Sequence, residues 1–113
     1  MAPKDCVGIV RLFIFSFCCF AVGGFFAALA AEHHTVLQNN KSFDREEIVI
    51  AIGDSVEFKN ADQVKHNIQI QELGYNSGIQ QPGSGSSLRF DESGRFKVRC
   101  GIHSKMKMTV LVE

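Results

Sequence analysis

Beyond about residue 31 the chain alternates polar and apolar positions with a period of two. "EIVIAIGDSVEFKN" puts Ile48, Ile50 and Ile52 on one face, breaks at Gly53-Asp54, and resumes with Val56 and Phe58 against Glu57 and Lys59. Successive side chains of a strand point to opposite faces, so this reads as two half-buried strands with a turn between them. "VKHNIQIQ" sets Val64, His66, Ile68 and Ile70 against Lys65, Asn67, Gln69 and Gln71, which leaves His66 in an apolar row. "LRFDESGRFKVRC" alternates through Leu88 and Phe90, turns at Asp91 to Gly94, and runs on through Phe96, Val98 and Cys100. The last stretch, "KMTVLVE", aligns Met108, Val110 and Val112, and a weaker strand is expected over Thr35–Gln38. Glu72–Ser87 is rich in Gly and Ser, has no apolar period, and is expected to be a long loop. No convincing helix appears after residue 31. Roughly seven short strands in about eighty residues predict an all-β fold, a Greek-key antiparallel β-sandwich.

The first thirty residues break this pattern. Lys4 and Arg11 precede an uncharged run from Leu12 to Ala31 that carries Phe13, Phe15, Phe17, Phe20, Phe25 and Phe26 and passes through Ala28-Leu29-Ala30. A positive start, an apolar middle and a small-residue end describe a secretory signal peptide over residues 1–30, leaving 31–113 as a single domain. A run of about twenty apolar residues is also long enough to span a bilayer, so an uncleaved anchor is the alternative. Either way the basic residues stay on the cytoplasmic side and the domain is expected in the periplasm or another extracytoplasmic space. Contact with a membrane follows only from the anchor.

Charge narrows the partners. The whole chain is formally neutral, and without Lys4, Asp5 and Arg11 the remainder carries a net −1. That balance offers nothing to nucleic acid or to a strongly charged surface, and a monomer is expected. Cysteine usage is more telling. Cys6, Cys18 and Cys19 lie in the leader, so Cys100 is the only thiol of the exported part and no internal disulfide can form there. An unpaired Cys100 is either a buried small hydrophobe or a metal-bound thiolate.

The surroundings of Cys100 sharpen the second possibility. "RCGIHSKMKMTV" gathers Cys100, His103, Met106 and Met108 within a short span, and His66 faces inward from another strand. Two imidazoles and a thiolate with a weak thioether suit a blue-copper site, where His₂Cys forms a trigonal plane and a sulfur lies far along the axis. A core role for His66, a solvent role for His103 and packing roles for both methionines are the plain alternatives.

"FKNADQVKHNI" and "RFKVRCGIHSKMKMTVLVE" together resemble the two copper-binding segments of the cupredoxins, the type 1 blue copper family, in its amicyanin and plastocyanin branch. The resemblance implies one type 1 copper ion held by His66, Cys100 and His103, with Met106 as the axial thioether and Asn67 tying the His strand to the Cys loop. Met108 shares the register of Val110 and Val112, yet Cys-x-x-His-x-x-x-x-Met is the plastocyanin spacing, which makes Met108 the alternative axial ligand. Two positions depart from the family pattern. Gly101 stands where Ser or Thr is frequent, and Ile102 where Pro is frequent.

The function this implies is one-electron transfer, with the electron leaving through the imidazole edge of His103 to a redox partner protein. Lys65, Lys105 and Lys107 would favour an acidic partner surface. A module that buffers or delivers copper, or confers resistance to it, is the alternative. An enzyme is not expected, since a dinuclear copper centre would need a second cysteine near Cys100 and no nucleophile and base constellation is visible. A second copper site is hypothesised at the mature N-terminus, a plain polar tail being the alternative. Cleavage after Ala30 or Ala31 leaves His33 or His34 third, where an α-amine, two amides and an imidazole can form a square-planar chelate.

Overall fold

The computed structural model describes residues 30–113, so the expected leader, apart from Ala30, lies outside the described residues. Nine strands form among them: β1 His33–Asn39, β2 Ser42–Phe43, β3 Glu47–Ile50, β4 Ser55–Asn60, β5 His66–Ile70, β6 Tyr75–Gln80, β7 Gly85–Arg89, β8 Gly94–Cys100 and β9 Lys107–Val112. A single 3₁₀ turn, Gln71–Leu73, separates β5 from β6. One sheet runs β2-β1-β4-β7 and the other β3-β9-β8-β5-β6.

The fold class is the one the alternation predicts, an all-β sandwich of two sheets. Each sheet carries one parallel pair among its antiparallel neighbours. β1 lies parallel to β4 from His33 opposite Ser55 to Gln38 opposite Asn60, and β3 lies parallel to β9 from Glu47 opposite Thr109 to Ile50 opposite Val112. Strands that pair in parallel cannot be joined by a tight hairpin, so other strands are crossed before the chain returns. Val36, Val56 and Phe58 from one sheet and Ile68, Val98 and Val110 from the other are wholly buried in one apolar cluster. Each such side chain contributes about 1.5–3 kcal/mol by leaving water.

Four expectations need correction. Glu72–Ser87 is not a loop, because most of it forms the 3₁₀ turn, β6 and the start of β7. These strands close the edges of the two sheets, β7 against β4 and β6 against β5. Ladder hydrogen bonds to a single neighbour hold them, and their small polar residues show no apolar period to read. Ile52 does not continue the buried row of Ile48 and Ile50: β3 ends at Ile50, and Ile52 is 54% exposed in the turn before Asp54. Val64 likewise precedes β5 and is partly exposed. Beyond it, a register shift between Asn67 and Gln69 buries Asn67 along with His66 and Ile68. The expected strand at Thr35–Gln38 is present and longer.

The β1–β2 hairpin turns through Asn40 and Lys41, which both take positive φ, 53° and 55°. A two-residue loop with both central residues left-handed matches the twist of a hairpin, although Gly is the usual occupant. Among the described residues, no helix is long and apolar enough to cross a membrane.

Candidate metal centre

β4 delivers the chain to the site through Asn60, a wholly buried residue. Its amide donates to the carbonyl oxygens of Val64, 2.9 Å, and Gln80, 3.1 Å, while its Oδ1 accepts the Asp62 amide at 2.9 Å. A buried carboxamide that satisfies three main-chain groups fixes the short loop it spans. That loop leads directly into His66, the first residue of β5.

His66 has no solvent exposure. Its Nε2 meets the Oδ2 of Asp62 at 3.0 Å, and its Nδ1 stands 3.8 Å from the Sγ of Cys100. A carboxylate acceptor at Nε2 keeps the proton there and turns the lone pair of Nδ1 toward the thiol. Asp62 is held well below the usual carboxylate range, at about 2, first by the Lys41 amide and then by the His66 imidazole.

Cys100 ends β8 and is buried, and it is a free thiol. Its strand lies beside β5, with Ile68 opposite Cys100, which brings the start of one strand to the end of the other. His103 follows in the turn, its ring 5.0 Å from that of His66 and at 75° to it. Its Nε2 is buried without a hydrogen-bond partner. The potential ligand atoms of His66, Cys100 and His103 all lie within 4.8 Å of one another.

Two main-chain bonds close the loop: the Met106 amide donates to His103 O at 3.0 Å and the Cys100 amide to Met106 O at 3.2 Å. Met106 is buried inside this closed loop, ahead of β9. Met108 is also buried, but within β9 and opposite Val98, in the row of Val110 and Val112.

The residues fit a soft metal ion. Bonds of about 2.0 Å to imidazole nitrogen and about 2.3 Å to thiolate, 120° apart, would separate the two ligand atoms by roughly 3.7 Å. His66 Nδ1 and Cys100 Sγ stand close to that, at 3.8 Å. His103 also carries a buried ring nitrogen with no partner, which is costly in a protein interior.

Asn67 lies between β6 and the Cys loop. Its amide donates to Asn76 Oδ1 and Gly78 O, each at 2.8 Å, and so binds β5 to β6. It meets the Cys loop through its oxygen, which packs against Gly101. A Cβ at Gly101 would lie 2.6 Å from Asn67 Oδ1 and 2.5 Å from Gln69 Nε2. Space here excludes the side chain that the family pattern often carries after the cysteine.

His33 and His34 lie elsewhere. They open β1 beside the start of β4, whereas the metal-binding candidates gather past the end of β4, at the other end of the sandwich. His33 Nδ1 meets Ser55 Oγ at 2.5 Å and His34 Nε2 meets Asp54 Oδ2 at 3.0 Å. The Glu32 amide donates to Asp54 Oδ1 at 2.8 Å, so a square-planar chelate using these amides would have to break the start of the ladder. Glu32, His34 and Asp54 also bring ligand atoms within 4.8 Å of one another. Asp54 already accepts from Glu32, Ala51 and His34, which makes the trio a clamp on the β3–β4 turn.

Sequence reasoning missed Asp62 and Gln80. Asp62 lies four residues before His66, yet no strand pattern links the two. Buried Gln80 accepts from Gln38 at 2.7 Å and donates to Phe58 O and Ser86 Oγ, both at 3.0 Å, from within the stretch expected to be a loop.

A two-sheet β-sandwich with a buried His and Cys and a half-buried His gathered at one end is the architecture of the small copper proteins. The family model of the Cupredoxin-like domain matches residues 10–112, and the chain belongs to that family. Solved structures agree. A reduced amicyanin variant is 25% identical, with a TM-score of 0.69, over 77% of this chain and 88% of that one. A purple cupredoxin from Nitrosopumilus maritimus is 22% identical, with a TM-score of 0.65, over 71% of this chain and 99% of that one. A Cu-containing nitrite reductase from Thermus scotoductus is 23% identical, with a TM-score of 0.67, over 76% of this chain but only 23% of its own. No curated protein matches the chain.

Proposed function

We propose that the protein is an exported type 1 copper protein that carries one electron at a time. The observation that carries this reading is the convergence of ligand atoms of His66, Cys100 and His103 to within 4.8 Å of one another in a cupredoxin scaffold. His66, Cys100 and His103 would hold the ion, with Met106 as the axial sulfur. Copper, when bound, supplies a centre that exchanges one electron between two oxidation states. The chain's own part is to hold the ligands on rigid strands, exclude water around His66 and Cys100, and leave His103 partly exposed as the route for the electron. No substrate is transformed and no general acid or base is needed, so the protein is not an enzyme in this reading.

The redox partner docks near His103. Lys65, Lys105 and Lys107 are exposed in the segments that flank the site, and they favour an acidic partner surface. Residues 1–30 act as the export signal to the periplasm or an equivalent space.

Absorbance and electron paramagnetic resonance of the purified protein loaded with Cu(II) test the reading. An intense visible thiolate-to-copper band, lost in Cys100→Ser and accompanied by a reversible potential, is the expected result. A colourless protein that binds Cu(I) tightly and gives it up rapidly to a chelator would establish copper handling instead.

A further inference from the structure

His66 is held from behind by a full negative charge. Its Nε2 is bonded to the carboxylate of Asp62, whose side chain is only 11% exposed. The carboxylate cannot turn away, because the Lys41 amide donates to Oδ2 at 2.8 Å and the Gln63 amide to Oδ1 at 2.8 Å. Asp62's own amide is anchored on Asn60 Oδ1. The Lys41 donor comes from the β1–β2 turn, where Asn40 and Lys41 both take the left-handed conformation that non-Gly residues rarely adopt.

A carboxylate that accepts Nε2–H makes the opposite ring nitrogen a stronger donor, and it sets a negative charge one imidazole width from whatever that nitrogen binds. Both effects favour the more highly charged oxidation state of a bound ion, and the shielded setting strengthens them. We infer that Asp62 is a positioning residue that sets the copper centre's preference for Cu(II) over Cu(I), held in place by the β1–β2 turn. This rests on the copper reading above.

Asp62→Asn removes the charge while keeping the size of the side chain and an acceptor oxygen. Cu(II) and Cu(I) affinities of the full protein, measured by chelator competition, and its reduction potential, followed on the visible band, test the inference. The expected result is a preference shifted toward Cu(I) by about tenfold, a rise of about 59 mV for one electron. Asp62→Glu, which keeps the charge, should stay nearer to the wild type. A purely structural Asp62 would weaken both oxidation states alike, so an unchanged ratio in Asp62→Asn overturns the inference. If that variant does not fold, Asp62→Ser, which retains a hydroxyl acceptor near Gln63, is read in the same way. A wild-type protein with no thiolate-copper band would overturn the copper reading and this inference with it, whereas a wild-type band with an unmoved ratio defeats the inference alone.

Discussion

Gly101 shows how one missing side chain is decided by its neighbours. The resemblance leads one to look for a hydroxyl after the cysteine, but the carboxamides of Asn67 and Gln69 occupy that space. Gln69 is partly exposed and can move aside, whereas Asn67 is fixed by Asn76 and Gly78. Gly101→Ala should therefore destabilise the fold by about 1–3 kcal/mol, as overpacking does. Chemical denaturation would measure it, and adding Gln69→Ala should recover only part of the loss. The two methionines separate at the same scale. Met106 lies in the closed loop between His103 and β9, and Met108 faces Val98 across the β8–β9 ladder. Met106→Gln should shift the copper absorption, while Met108→Leu should leave it in place and cost less than about 1.5 kcal/mol. The reverse pattern would make Met108 the axial sulfur.

At the scale of elements, the edge strands β6 and β7 carry what the alternation hides. β6 and β7 contribute Gln80 and Ser86 to a polar link that crosses the sandwich, from Gln38 on β1 through Gln80 on β6 to Ser86 on β7. Gln80 also satisfies Phe58 O, so it serves three buried or half-buried groups at once. Gln80→Leu would orphan the Gln38 amide and Phe58 O, and a buried group left unsatisfied costs about 1–3 kcal/mol. A fall of that order in unfolding free energy is expected, with little change in the denaturant slope if the fold is kept. The central strands were legible because each buries one face, and a period of two then shows directly in the residues. β6 and the start of β7 were not, because Ser, Gly and Asn fill positions whose structure comes from pairing with a neighbouring strand.

At the scale of the whole molecule, acid stability depends on carboxylates that clamp turns. Asp54 is held at about 2, against an ordinary value of 3.8, by the Glu32 amide first, then the His34 imidazole and the Ala51 amide. A folded value below the unfolded one means that the stabilisation is fully present above about pH 4. It is lost as pH falls through the folded value near 2. Asp62 is depressed to a similar value and adds to the same window. Thermal unfolding followed from pH 5 to pH 2 should show a steep decline, and Asp54→Asn should flatten part of it while lowering stability at neutral pH. An unaltered slope in that variant would mean that Asp54 does not clamp the β3–β4 turn.

The sequence by itself determined the all-β class, the inward face of each central strand, and the candidates His66, Cys100 and His103, with Met106 set above Met108 by the resemblance to the cupredoxins. These are properties of residue type, spacing and alternation, which survive in one dimension. Only the tertiary structure decided which groups meet across the sandwich: Asp62 behind His66, Lys41 behind Asp62, and Asn67 and Gln69 over Gly101. It also gave His33 and His34 partners in Ser55 and Asp54, far along the chain. The physical reason is common to all of them. Hydrogen bonds and close packing between side chains depend on how strands distant in sequence are brought together, and on the space their neighbours leave.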